Sequence, residues 1–201
     1  MTMINFLLAG VGGQGTILAS DVVAAVGLRS GHDVKKSEVH GMAQRGGSVT
    51  THVRWGEKVF SPLIAPGEVD FVVAFEKLEA LRYIEMLRPG GVVLVNDYAI
   101  APLSVSAGND EYPADERMRT VFRAVTPNVH LLAATAMAEE LGNAKANNVV
   151  LLGALAHCLQ EVPVEAWREA IRERVPPKFV PLNERAFAMG QEAMAELRNT
   201  M

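Results

Sequence analysis

Leu8-Ala9-Gly10-Val11-Gly12-Gly13-Gln14-Gly15 decides how the chain is read. Gly10, Gly12 and Gly15 form Gly-x-Gly-x-x-Gly directly after the apolar run Ile4 to Ala9. The segment Thr16 to Arg29 that follows reads as a helix. A strand, a tight glycine turn and a helix N-terminus together cradle phosphate-bearing groups. Glycine lets the backbone approach closely, and the helix end presents unpaired N–H groups and a partial positive charge. The bland reading is a tight turn that only packs a helix on a sheet.

Outward from this turn, strands and helices alternate. Met3–Ala9 is continuously apolar, as a central parallel strand should be. Thr16–Ser30 is a helix with Ile17, Leu18, Ala24, Ala25 and Leu28 as its apolar side, closed by Gly31. Asp33–Val39 is a second strand. Ser48–Trp55 alternates, and Gly56-Glu57 turns it into a returning strand over Lys58–Ser61. Asp70–Phe75, Val92–Asn96 and Val129–Ala133 are further strands. Helices are expected at Glu76–Leu87, Pro113–Ala124, Thr135–Leu141, Asn147–Leu159, Pro163–Val175 and Asn183–Asn199. The expected class is α/β: a Rossmann-like, doubly wound, mostly parallel sheet with an antiparallel hairpin and a helical C-terminal part. A single domain is expected over 1–201, with a helical layer from about 147 to 201. The helix Asn147–Leu159 is apolar nearly all round, so it is buried, either within the chain or in an assembly. Gly153 and Ala154 would permit a close helix contact.

Composition narrows the function. The 201 residues are 49% hydrophobic and 21% charged, which is ordinary for a soluble globular chain. The net charge of −4 argues against general nucleic-acid binding. The single cysteine, Cys158, can make neither an internal disulfide nor a cluster site, so a reducing cytoplasm is the simplest compartment. No run is long enough to span a membrane. Ile4 to Ala9 is too short, and too poor in preceding basic residues, to be a signal peptide. His32, His40, His52, His130 and His157 show no metal-ligand spacing, so no metal is expected on this chain.

Two further groups bear on ligands. A nicotinamide site would want an acid at the end of the second strand, and Glu38 stands there behind Lys35, Lys36 and Ser37. Asp97 follows a strand on the ligand-bearing edge, where a cap is the simpler role. The loop His40-Gly41-Met42-Ala43-Gln44-Arg45-Gly46-Gly47-Ser48 is rich in glycine and donors. Such a loop is costly unless it touches something. Arg45 offers a planar fork for phosphate or carboxylate, and Gln44 both donates and accepts. In a right-handed, doubly wound sheet this loop should lie on the same edge as Gly10–Gly15.

Ala9–Gly15, Lys35–Val49 (KKSEVHGMAQRGGSV), Phe60–Ile64 (FSPLI) and Asn147–Leu155 (NNVVLLGAL) carry a resemblance. The chain resembles the gamma-type subunit or domain of 2-oxoacid:ferredoxin oxidoreductases, in particular the small subunits of the indolepyruvate enzymes. The second motif is far more specific than the first. The resemblance implies a non-autonomous subunit of an enzyme that oxidatively decarboxylates a 2-oxoacid to an acyl-CoA and reduces ferredoxin. It implies thiamine diphosphate, magnesium and iron–sulfur clusters on a large, alpha-type partner, and no cofactor held by this chain alone. It also implies a place beside the thiamine site, with coenzyme A as the group contacted. On that reading Gly10, Gly12, Gly13, Gln14 and Gly15, with Gln44, Arg45, Gly46 and Gly47, form the binding rim. Gln44 and Arg45 would face the partner's active site. Isolated, the chain is expected to cover its apolar surface as a homodimer. The alternatives are an independent nucleotide-binding oxidoreductase and a docking subunit without ligand.

Overall fold

Eight residues from Ile4 to Val11 make the first strand, β1, and all but Ile4 are buried. A strand buried on both faces needs layers on both sides, and that sets the architecture. A computed structural model describes residues 3–40 and 47–199. Along the chain β1 is followed by α1 (Thr16–Arg29), β2 (Asp33–His40), β3 (Ser48–Gly56), β4 (Val69–Ala74), α2 (Lys77–Tyr83) and β5 (Leu87–Asn96). Then come α3 (Leu103–Ser106), α4 (Asp115–Val125), β6 (Val129–Leu132), α5 (Ala134–Glu140), α6 (Asn147–Cys158), α7 (Val164–Arg174) and α8 (Val180–Asn199).

The strand order is β2-β3-β1-β4-β5-β6. β1, β4, β5 and β6 run parallel, and β3 is antiparallel to both β1 and β2. The sheet is thus mostly parallel with an antiparallel flank, as expected. The hairpin, however, is β2–β3. Lys58–Ser61 is not its second strand. That segment is drawn off the ladder by side chains: the Asp33 carboxylate accepts from Val59 N at 2.8 Å, and Arg54 donates to the carbonyls of Ser61 and Leu63 at 3.2 and 2.8 Å. Phe60 is left 85% exposed.

Side-chain alternation along β1 divides the core. Phe6 and Leu8 join the layer of α1, α6, α7 and α8, whereas Leu7 joins the layer of α2 and α4 with Ile64. The apolar side of α1 differs in part from the sequence expectation. Leu18, Ala24 and Ala25 pack on the core as expected, together with Ala19, Val22, Val23 and Val26, while Ile17 and Leu28 are 46% and 61% exposed. A helix this apolar all round has two plausible faces, and Gly27 decides between them. A Cβ there would stand 2.4 Å from the indole of Trp55.

Helix α6 is buried within the chain itself. Val149 to Ala156 are all buried, and α8 lies directly against them. Burying leucines such as Leu151, Leu152 and Leu155 contributes roughly 1.5–3 kcal/mol each. The two helices touch backbone to backbone. A Cβ at Gly153 would lie 2.1 Å from the Phe187 carbonyl oxygen, and one at Gly190 would lie 1.9 Å from that of Val150. The close contact expected at Gly153 is therefore with α8. Gly153→Ala should force the helices apart and cost about 3 kcal/mol or more, since rigid backbone cannot yield as a side chain can. Urea unfolding measures it, and a loss below ~1 kcal/mol would show that the helices can slide.

Candidate functional site

In an open α/β sheet, ligands enter at the carboxyl ends of the parallel strands, where successive connections leave in opposite directions. Here that point lies between β1 and β4, because α1 packs on one face and α2 on the other. Gln14 occupies it. Its Oε1 accepts from Val11 N at 2.8 Å, and its Nε2 donates to the Phe75 carbonyl at 2.8 Å. Asn96 donates to the same carbonyl at 3.1 Å and to Thr135 Oγ1 at 2.8 Å. The strand ends are therefore stapled together by side-chain amides. One acceptor and one donor of the Gln14 amide are thereby used by the fold.

The rest of the turn divides in the same way. Gly10 is enclosed: a Cβ there would lie 3.0–3.1 Å from Thr16 Oγ1, Gln14 Oε1 and Phe75 Cβ. Gly15 has φ +80°, and a Cβ on it would stand 2.3 Å from Asn148 Nδ2. Asn148, on the first turn of α6, donates to the Gly15 carbonyl at 3.3 Å. Gly13, with φ +104°, borders open space. Helix α1 starts without a side-chain cap and without an acidic residue in its first turn. Its first N–H groups have no intrahelical acceptor, which suits an anion. Gly12 N donates to the Gly47 carbonyl at 3.0 Å, so the two glycine loops meet on one rim. That meeting was expected, but it arises through the hairpin. β2 runs in the direction of β1 with β3 between them, so the end of β2 returns to this edge. Gln44, Arg45 and Gly46 lie outside the described residues.

Glu38 does not complete a nicotinamide site. It sits opposite Thr51 on β2, with β3 separating it from β1, and its carboxylate meets Lys36 Nζ at 2.6 Å. Asp97 pairs with Lys77 at 3.1 Å and caps no helix. Cys158 ends α6, and burial pushes its thiol up to about 11, which suits packing.

A group that the sequence reading missed lies beside the turn. Ser48, Glu76, Glu79 and Arg82, with Val11 and Ile100, line a cavity of about 140 Å³. Glu76 is 1% exposed and Glu79 4%. Ser48 Oγ donates to Glu79 Oε2 at 2.5 Å and lies 3.2 Å from Tyr83 OH. Arg82 meets Glu79 at 3.2 Å. Glu76 accepts from Glu79 N at 2.9 Å, from Ile100 N at 3.0 Å and from the Tyr112 hydroxyl. Burial raises the Glu79 carboxyl above its ordinary range, against the opposing pull of Ser48 and Arg82. Burial and the Glu76 carboxylate raise the Tyr112 phenol. The available signal was Glu76 standing at the end of an apolar strand, three residues before Glu79.

With this geometry in view, the relatives are informative. The model of the family described as pyruvate ferredoxin/flavodoxin oxidoreductase matches residues 5–193. The chain belongs to this family. It is 41% identical over 198 residues to the indolepyruvate oxidoreductase subunit IorB of Thermococcus kodakarensis, covering 96% of each chain. Among solved structures it is similar to the gamma subunit of a keto/oxoacid ferredoxin oxidoreductase from Geobacter sulfurreducens, with TM-score 0.71 and 26% identity over 96% of this chain and 99% of that one. It also shares its fold with part of the 2-oxoglutarate:ferredoxin oxidoreductase of Magnetococcus marinus, at TM-score 0.71 and 20% identity. There it covers 98% of itself but 32% of the larger chain, in a structure with 2-oxoglutarate, coenzyme A and succinyl-CoA bound. The chain is thus a subunit of an oxidoreductase, the gamma-type component of a 2-oxoacid ferredoxin oxidoreductase.

Two outcomes follow from the site. Gln14→Ala leaves Val11 N without its acceptor and the Phe75 carbonyl with Asn96 alone. The variant should therefore lose about 1–3 kcal/mol in urea unfolding, the cost of one orphaned donor, whereas a ligand-binding side chain would leave stability unmoved. For Glu79, the folded protein holds the proton more tightly than the unfolded chain does. Its contribution is full below the unfolded value near 4.5 and is lost as pH rises through the higher folded value. The stability of wild type relative to Glu79→Gln should therefore fall as pH is raised from 4.5. Unfolding midpoints of the two proteins between pH 4 and 8 measure it, and parallel curves would refute the shift.

Proposed function

We propose that this chain, as one domain over 1–201, is the small subunit of a cytoplasmic indolepyruvate-type 2-oxoacid ferredoxin oxidoreductase. The observation that carries the substrate class is the 41% identity to an indolepyruvate oxidoreductase subunit along nearly the whole chain. The complete enzyme converts an aryl 2-oxoacid and coenzyme A into an acyl-CoA and carbon dioxide, passing two electrons to ferredoxin. Thiamine diphosphate, magnesium and the iron–sulfur clusters belong to a large alpha-type partner. Among the described residues no group of three His, Cys, Asp or Glu side chains is placed to hold a metal. One cysteine in the whole chain is too few for a cluster.

The contribution of this chain is a rim for coenzyme A. The uncapped start of α1 and the open side of Gly13 fit a phosphate group, which would accept from backbone N–H groups at Gly13, Gly15 and Thr16. Gly47 joins the rim through its bond from Gly12. Gln44, Arg45 and Gly46 extend the same loop, and the Arg45 guanidinium would pair with the phosphates bidentately. Glu76, Lys77 and Tyr112 hold the 97–115 segment across the ends of β4 and β5, shielding the cavity beside this rim.

The test is reconstitution with the large partner. The chain alone should show no turnover, and the pair should reduce ferredoxin with indolepyruvate faster than with 2-oxoglutarate. Arg45→Ala should raise KM for coenzyme A by about 10-fold or more, as loss of a charged hydrogen bond does. An unchanged KM and an unchanged kcat would remove Arg45 from the rim.

A further inference from the structure

The 97–115 segment, which crosses the ends of β4 and β5, is built unlike a water-facing loop. Between Asp97 and Asp110 it reads Tyr-Ala-Ile-Ala-Pro-Leu-Ser-Val-Ser-Ala-Gly-Asn, twelve residues without a charge. A chain that is 21% charged would place about two or three charges there, and surfaces made for water carry more. None of the twelve is buried, and nine are exposed. Tyr98 is 42% exposed and Leu103 84%. Helix α3 buries none of its residues, so the fold gives Leu103 and Val105 no core of their own. One exposed leucine is ordinary. An exposed, uncharged run that contains a helix burying nothing has the composition of the centre of an interface, where charged residues are depleted.

The segment is tied at both ends. Asp97 N donates to the Leu132 carbonyl at 2.7 Å, and the Tyr98 carbonyl accepts from Lys77 N at 3.0 Å. Ile100 N donates to the buried Glu76 carboxylate at 3.0 Å. At the far end the Tyr112 hydroxyl donates to the same carboxylate, and Asp115 meets Lys77 Nζ at 2.8 Å. Holding an exposed segment in place within the free subunit lowers the ordering cost of association. Beside α3 opens a groove of about 390 Å³. Its apolar lining is Leu78, Leu81, Pro102, Val105, Pro113 and Val121, and it carries two arginines balanced by two acids. Such a groove accepts apolar side chains without favouring either sign of charge.

The place of this surface in the fold names its occupant. Ile100 and Pro102 line the 140 Å³ cavity together with Val11 and Ser48. Ser48 follows Gly47, whose carbonyl accepts from Gly12 N. The uncharged surface is therefore continuous with the glycine rim, on the carboxyl edge of the parallel strands. We propose that the 98–107 surface, centred on Leu103, is a docking face for the large subunit, which meets it with an apolar, uncharged patch. The inference rests on the reading that the rim faces that partner. A partner seated over the rim meets this surface next, and Leu103 is the apolar anchor that it buries.

The experiment uses the co-purified complex and follows its dissociation on dilution by sedimentation velocity. Leu103→Asp puts a charge at the centre of the face. It should raise the concentration of half-dissociation at least 10-fold, or prevent co-purification. Leu103→Ala keeps the face uncharged and should raise that concentration less. Because Leu103 is 84% exposed, the unfolding midpoint of the small subunit should stay within a few degrees of wild type, which separates lost assembly from lost folding. The readout is assembly and not turnover, so the coenzyme A rim stands or falls separately on Arg45→Ala. Equal dissociation of the wild-type and Leu103→Asp complexes would overturn the proposal. So would an effect confined to association between copies of the small subunit, or to KM for ferredoxin, with the large subunit held as tightly as by wild type.

Discussion

The Gln14 side chain ties the ends of β1 and β4 together at the point where an open α/β sheet would otherwise admit a ligand. Much of the functional geometry follows from that bridge. With the crevice stapled by an amide, the accessible features are those outside it: the open face of Gly13, the uncapped first turn of α1 and the loop that Gly47 anchors. An inward dinucleotide crevice is exchanged for an outward rim. Such a rim suits a subunit that completes another chain's active site better than an enzyme that encloses its own substrate. The relatives of the chain are subunits of 2-oxoacid oxidoreductases.

The same edge is reinforced from two other directions. Asn148 of α6 holds Gly15, so the buried helix layer is tied to the turn. Glu76 and Lys77, at the end of β4, hold the 97–115 segment through Ile100, Tyr112, Asp97 and Asp115. A carboxylate that is 1% exposed with three donors around it is satisfied, and breaking any one bond leaves charge in a low-dielectric place. The cluster of Ser48, Glu79, Tyr83 and Arg82 extends that network to the first residue after the glycine-rich loop.

Local pattern carried most of the fold. Continuous apolar strands, a glycine at the end of α1 and an all-apolar α6 depend on near neighbours, and they were legible as such. The meeting of the run after β2 with the glycine turn was legible for a similar reason, and Gly12 bonded to Gly47 shows it. Other residues were illegible because their roles depend on distant partners. Lys58–Ser61 alternates like a strand, yet Asp33 and Arg54 pull it away from the ladder. Glu38 stands at a plausible sequence distance for a nicotinamide acid, yet β3 is inserted between its strand and β1. Gln14 looks like a ligand donor in a ligand motif, and only the position of the Phe75 carbonyl makes it a staple.

By itself, the sequence determined the class of fold, the place of the glycine turn between a strand and a helix, and the family, through motifs spread along nearly the whole chain. These rest on hydrophobic period and turn chemistry, which act over a few residues. The tertiary structure alone decided which strands form the hairpin, which face of α1 is inside, that α6 is covered by α8, and that Glu76 and Glu79 share a buried network. Each of these depends on contacts between residues far apart in the chain, such as Gly153 against Phe187 and Ser48 against Glu79. Composition and spacing carry no record of a backbone oxygen 2.1 Å from a missing methyl group. Only close packing in three dimensions turns a permissible glycine into a required one.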